Sequence, residues 1–418
     1  MDTLDGPQHV HAARARTRIT GSVFLAVALG TIGLFAAVTV APLVAVELTG
    51  TSALSGLPTA AALLGTALGA AVLSRVMAQR GRRAGLVLGF GVGAFGAFVA
   101  VVAVVLGTFV LFVAGMLALG CGNGANQLAR YAVADVHPAA RRTTVLGWVV
   151  WAGTIGAVVG PSLVDPVGQV LAGSAVPLLA GGVLVACVAM LISGGLCGAL
   201  LRPDPADIAV ADDDVAADAT AAAPVSAWRS PVVIVALTAM VAGQFVMVLI
   251  MTMTPVHASA GGADLGAVGF IMSAHVIGMY ALTPLAGALA DRVGNMAVIA
   301  VGLVLIVASG VMGALAPAGD VAVLSVALFV LGLGWSCGFV SASGLLARGV
   351  ASAQRARMQG AVDTAVYGSA TIGSLSSGVL IAVAGYTVLC LVGAALVAVP
   401  AVVLLRLRPA VTRSLRPA

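Results

Sequence analysis

The chain has 418 residues, of which 61% are hydrophobic and 8% charged, with a formal net charge of +5. A soluble domain carries about 25% charged residues, so this composition excludes a water-soluble globular protein and leaves a polytopic membrane protein. The 20 basic residues are all arginine, and they point to an anionic inner leaflet as neighbour rather than to nucleic acid.

Residues 1–18 form a polar tail containing Arg14, Arg16 and Arg18. The tail leads straight into a full-length apolar span, which reads as an anchor kept in the mature protein. Spans one to six are predicted over 20–46, 52–77, 84–106, 108–134, 143–164 and 175–201. Residues 202–230 interrupt the pattern with Pro203, Pro205, Asp212, Asp213, Asp214 and Asp218. This stretch is too polar to span and too simple to build a core, so it reads as a flexible linker. Spans seven to twelve are predicted over 231–255, 266–290, 296–316, 320–347, 358–384 and 386–407, ahead of a tail over 409–418. The fold class is therefore all-α, with twelve crossings in two six-helix bundles, 19–201 and 231–408.

The arginines fall at 14–18, 75–83, 130–142, 202–229, 292, 348–357 and 406–416, which are alternate gaps between spans. Basic residues are held on the cytoplasmic side. Both termini and the linker are thus expected inside, with the protein in the cell (inner) membrane. Cys121, Cys187, Cys197, Cys337 and Cys390 all lie inside spans, and none forms a C-x-x-C pair. They read as buried packing residues, with no disulfide framework, metal site or cofactor expected.

The halves echo one another. Ala129-Arg130, Arg141-Arg142 and Thr154-Ile155-Gly156 are matched by Ala347-Arg348, Arg355 with Arg357, and Thr371-Ile372-Gly373 at nearly equal spacing. Such internal symmetry belongs to transporters built from two six-helix halves. Gly287, Asp291, Arg292 and Gly294 follow the order G-x-x-x-D-R-x-G at the inner end of the eighth span. Gly156, Gly160 and Pro161 follow G-x-x-x-G-P in the fifth. Together with the span plan, residues 19–408 resemble the major facilitator superfamily, and the second motif resembles the signature of its antiporter branch.

That resemblance implies two bundles rocking about a central cavity, and export. It assigns the first motif to an inner gate, in which Gly287 lets helices pack closely and Gly294 makes the exit turn. The equivalent first-half loop has Ala78 where the family has Asp, so its gate is in doubt. Met116 likewise holds the place of the antiporter branch's fourth-span arginine.

Asn123, Asn126, Gln127 and Arg130 share one face of the fourth span, and polar groups at that depth need partners or water. With Gln244, Trp148, Trp151 and Trp335 they are the candidate substrate contacts, and Thr31, Thr39, Thr252 and Ser341 are further lining residues. Trp148 and Trp151 read equally as an aromatic wall or an interfacial anchor. His275 stands in the outer half of the eighth span, His257 just past the seventh, Asp363 a short way into the eleventh, and Glu47 at the outer end of the first. An imidazole changes charge near neutral pH. These four are the proton-coupling candidates, with His275 and Asp363 foremost. Methionines near His257 and His275 read as flexible packing, with soft-metal transport a minority reading.

Gly334, Ser336 and Gly338 match the nucleophile pattern G-x-S-x-G but fall inside an apolar helix, so an intramembrane serine hydrolase is a remote alternative. There is neither a P-loop nor an H-E-x-x-H motif. The sequence thus predicts no enzyme. It predicts a monomeric secondary transporter that exports a small amphipathic molecule by proton-coupled antiport, with uptake by the same fold as the rival. Its partners are the substrate, protons and the lipid bilayer.

Overall fold

The computed structural model describes residues 7–137, 139–173, 176–208, 228–349 and 352–414. Every regular element among them is helical: α1 (Pro7–Thr49), α2 (Leu57–Arg80), α3 (Arg82–Val105), α4 (Phe109–Asp135), α5 (Ala139–Ser162), α6 (Val164–Leu171) and α7 (Ala180–Leu200), then α8 (Pro231–Ala260), α9 (Leu265–Tyr280), α10 (Thr283–Val293), α11 (Asn295–Leu315), α12 (Val321–Gly349), α13 (Ser352–Leu396) and α14 (Ala398–Ser414). Helices are what an apolar chain must form in lipid, because each satisfies its backbone groups internally. Among the described residues ten stretches are long and apolar enough to cross a membrane, or eleven when the bent pair α5–α6 is one span. Twelve were expected. The difference lies at the end of the chain, where residues 364–414 count as a single stretch of 51 residues. Gly385 interrupts that stretch with φ +79°, between the expected eleventh and twelfth spans.

The chain divides into two compact units, Met1–Val40 with Ala61–Val215 and Ala41–Ala60 with Ala216–Ala418. In the first, small residues let backbones meet. A Cβ on Gly122 of α4 would lie 2.4 Å from Gly93 Cα of α3, and one on Gly65 of α2 only 2.0 Å from the Leu117 carbonyl oxygen of α4. The second unit repeats the device: a Cβ on Gly302 of α11 would lie 2.7 Å from the Gly334 oxygen of α12. The inner loops repeat too. Gly81 precedes α3 with φ 89° and ψ 164°, and Gly294 precedes α11 with φ 91° and ψ 145°.

Residues 41–60 cluster with the second unit although they join spans one and two. A 3-10 turn at Ser52–Leu54 leads to Gly56, where a Cβ would overlap the Ser374 carbonyl oxygen of α13 at 1.8 Å. Ser374 Oγ donates to the Gly56 oxygen at 2.8 Å, and Ser55 Oγ donates to Met253 Sδ at 3.1 Å.

Proline marks three helix boundaries, and the last two of them differ from the sequence expectation. The fifth span bends by 43° where α5 meets α6, just past Pro161, which removes a backbone donor. The eighth span breaks between α9 and α10, where Leu282 leaves helical geometry (φ −98°, ψ 4°) two residues before Pro284. The seventh runs on through Pro255 to Ala260, so His257 lies within the last turn of α8 rather than past it.

Candidate substrate site and gating elements

In the first unit the polar face of α4 is cross-linked to its neighbours. Asn123 Nδ2 donates to Thr66 Oγ1 of α2 at 3.2 Å, and Asn126 Nδ2 donates to Thr31 Oγ1 of α1 at 2.8 Å. Thr31 in turn donates to the Val27 carbonyl at 2.8 Å. Both amides are buried, yet Asn126 Oδ1 has no partner. A buried acceptor in that state needs a donor from water or a ligand. Gln127 is half-buried one residue further on. Arg130 lies in α4, but its side chain is outside the described residues.

Trp148 and Trp151 of α5 meet edge to face at 6.3 Å and are 56% and 55% exposed. Trp148 faces a cavity it shares with Thr17, Thr20, Gly21, Phe24 and His137. The exposure of both rings is compatible with either sequence reading.

In the second unit Gln244 of α8 and Trp335 of α12 come together: the indole Nε1 donates to Gln244 Oε1 at 2.7 Å. Phe339 stacks on Trp335 with centroids 4.8 Å apart, and Tyr280 of α9 meets it at 6.2 Å nearly edge-on. Sequence reasoning missed Phe339, although its spacing of four from Trp335 was a usable signal. It also missed Asn295, whose Nδ2 donates to the Ser341 carbonyl at 2.9 Å. Thr39 and Thr252 are buried and return their hydroxyls to Phe35 and Val248 carbonyls of their own helices.

The coupling candidates are dispersed. His275 is fully buried. Its Nδ1 sits 2.8 Å from the Leu328 carbonyl oxygen of α12. A carbonyl only accepts, so Nδ1 carries the proton; Nε2 is buried with no partner. His257 stacks on Tyr386 at 4.1 Å and points Nε2 at the Ala316 carbonyl at 3.4 Å. Tyr386 also shares a hydrogen bond of 2.8 Å with Thr254. Glu47 is exposed in the last turn of α1. Asp363 lies within α13, which begins at Ser352 rather than near residue 358, and its side chain is outside the described residues.

The two signatures differ in how much their glycines matter. A Cβ on Gly156 would come within 2.2 Å of the Ala28 carbonyl oxygen, and one on Gly160 within 2.5 Å of the Ile32 carbonyl oxygen. The G-x-x-x-G-P face therefore lies directly on the backbone of α1. Gly373 does the same on α8 in the second half, with the Phe245 oxygen 2.8 Å away, which pairs the two Thr-Ile-Gly repeats structurally. Gly287 corrects the sequence expectation of close packing: a Cβ there would meet only Val340 Cγ1, at 4.0 Å. Asp291 and Arg292 are exposed at the end of α10, and Gly294 makes the left-handed exit turn as expected.

The first-half loop lacks the signature Asp at Ala78 but receives an acid from elsewhere. Asp204, just beyond α7, accepts the Arg82 amide through Oδ1 and the Arg83 amide through Oδ2, both at 3.0 Å. These are orphan donors of the α3 N-terminus, where a carboxylate is favoured. Arg83 answers by donating Nε and Nη2 to the Gly198 carbonyl in the last turn of α7, at 3.0 and 2.6 Å. A side chain at Gly81 would strike Asp204 Oδ2 at 2.4 Å.

The hydrolase alternative fails on geometry. Ser336 is buried in the interior of α12, and its Oγ bonds Thr283 Oγ1 at 3.1 Å, with no strand-to-helix elbow to expose it.

The comparisons agree with this architecture. The Major Facilitator Superfamily profile matches residues 23–265 and 235–418. The uncharacterized MFS-type transporter YdeG of Bacillus subtilis is 38% identical over 381 residues, covering 90% of this chain and 88% of its own. The riboflavin transporter RfnT of Brucella anthropi is 31% identical over 371 residues, covering 88% and 90%. Among solved structures, a bacterial homolog of the human lysosomal transporter Spinster aligns with TM-score 0.73 at 14% identity, over 97% of this chain and 99% of that one. The nucleoside transporter NupG aligns with TM-score 0.70 at 16% identity, over 94% and 98%; at these identities the likeness is one of fold. This chain belongs to the major facilitator superfamily, a family of membrane transporters and not of enzymes.

Proposed function

We propose that the protein is a twelve-span, proton-coupled exporter of a small amphipathic molecule, working by alternating access as a monomer in the inner membrane with both termini cytoplasmic. The observation that carries export is the seating of Gly156 and Gly160 on the α1 backbone, followed by the 43° bend beyond Pro161. Such a dry backbone-on-backbone seam in the fifth span leaves little room for a leak of protons past the substrate path. Asn123, Asn126, Gln127 and Arg130 in one unit, and Gln244 and Trp335 in the other, are the proposed substrate contacts. Trp148 and Trp151 line its inner approach. Asp291 and Arg292 act in the inner gate with Gly287 and Gly294.

His275 is the foremost proton carrier, since its bare Nε2 can take a proton without giving up the Leu328 bond. Asp363 shares that role, and Glu47 and His257 are secondary. The relative named for riboflavin makes riboflavin the first compound to test.

Inside-out proteoliposomes with an acidified lumen decide the matter. Export by antiport predicts riboflavin or another screened substrate accumulating in the lumen, with accumulation abolished when nigericin collapses the pH gradient. Accumulation that ignores the gradient would overturn proton coupling. Accumulation only in right-side-out vesicles would replace export with the rival, uptake by the same fold.

A further inference from the structure

The geometry points to a binding platform in the second unit for a flat, uncharged heteroaromatic ring that offers a hydrogen-bond acceptor at its edge. This rests on the transport reading above and names the chemical class of the molecule carried. Trp335 and Phe339 stand four residues apart on α12, so their rings share one helix face. They stack at 4.8 Å with planes 20° apart, and Tyr280 closes the group at 6.2 Å and 73°. All three rings are part-exposed, so the cluster presents aromatic surface that no protein side chain has covered. Aromatic faces of this kind gain most from another flat ring in offset or edge-on contact.

The polar partner tells what that ring must carry. Gln244 is 92% buried, being only 8% exposed, and its Oε1 is occupied by the Trp335 indole at 2.7 Å. Its Nε2 group has no protein partner among the described residues, which leaves a pair of donors beside the rings. Such donors cannot be turned to hydrocarbon without a large desolvation cost. The rings and the amide therefore face a wet or ligand-filled space rather than lipid tails. The donors require an acceptor on the ligand, a carbonyl oxygen or an unprotonated ring nitrogen.

Charge supplies the last restriction. The described acids of this unit, Glu47, Asp264, Asp291 and Asp320, stand at helix ends. Among the described residues a cation at the rings would have only their faces as partners, and an anion would meet those faces unfavourably. An uncharged ring fits what is present.

Equilibrium dialysis against the full chain in nanodiscs, with empty nanodiscs as background, tests this with three tricyclic probes of similar size. Acridone is neutral with a carbonyl acceptor, carbazole is neutral without one, and proflavine is a cation. The expected result is saturable acridone binding, weakened about tenfold by Gln244→Leu for the loss of one hydrogen bond. Carbazole should bind more weakly than acridone and be indifferent to that change. Phe339→Leu should weaken both neutral probes, which keeps the test decisive if Gln244→Leu does not fold.

Absence of saturable acridone binding, equal effects of Gln244→Leu on acridone and carbazole, or proflavine binding more tightly than acridone would each overturn the proposal. Acridone binding with no transport of any compound would sink the export reading alone. Transport of ring-free substrates without acridone binding would sink this inference alone.

Discussion

At the scale of single residues, the proton role proposed for His275 rests on a bond that taking up a proton would not break. The Leu328 carbonyl fixes the proton on Nδ1 and leaves Nε2 bare inside the membrane. Asparagine places a donor where Nδ1 stands and nothing where Nε2 stands. His275→Asn is therefore expected to unfold near the wild-type temperature while losing response to a pH gradient; His275→Leu should lose the response and about 1 kcal/mol of stability as well. A His275→Asn protein that still couples to the gradient would make this histidine a packing residue. Asp204 makes a different kind of prediction. Asp204→Ala strips both acceptors from the α3 N-terminus and should cost about 1–2 kcal/mol in thermal unfolding in detergent, with Asp204→Asn restoring part of it. Unchanged unfolding in both variants would mean that water caps α3 equally well. The asparagines of α4 were legible because residues three and four apart declare a shared face. Asp204 was not, because its partner Arg82 is 122 residues away and a long-range cap leaves no local pattern.

At the scale of elements, close helix packing is the right reason for the glycines of one sequence motif and the wrong one for Gly287 of the other. Glycine at 156 and 160 is required by the α1 backbone beneath it, whereas glycine at 287 faces a side chain at ordinary contact distance. Gly160→Leu should thus destabilise by about 1–3 kcal/mol through overpacking and lower transport. Gly287→Ala should leave stability equal, or raise it by up to about 1 kcal/mol, since alanine is the better helix former. Thermal unfolding of the two purified variants checks both, and equal losses would show that Gly287 is packed in a state other than this one. Proline explains which boundaries were readable. Pro284 follows a break and Pro161 precedes a bend, as a missing donor and a steric clash dictate. Pro255 sits in a helix that continues, because Met253 and Ala258 on either side are fully buried and their packing holds the helix past one lost hydrogen bond. Local punctuation cannot reveal that balance.

At the scale of the whole molecule, the arginine pattern and the Thr-Ile-Gly repeats announced two similar halves, and Gly156 on α1 and Gly373 on α8 show those halves built alike. The division into units does not follow the linker alone, however, since residues 41–60 group with the second unit. No sequence feature marks this, because the seam is made of close backbone approaches and two serine hydroxyl bonds between residues far apart in the chain. Gly56 and Gly378 are the residues that permit it, the Cβ of Gly378 being barred by the Ala53 oxygen at 2.7 Å. Ser55 is fully buried in that seam. A cysteine at Ser55 should accordingly react slowly with a membrane-impermeant maleimide. Adding Gly378→Val inserts three carbons where even one does not fit, so the 52–56 turn must lift from α13. Labelling of Ser55→Cys should then rise by about tenfold or more, the population change that 1.4 kcal/mol of lost packing produces. A Ser55→Cys protein labelled equally fast with and without Gly378→Val would show that the turn already leaves α13 freely, and that residues 41–60 move with the rest of the first half instead.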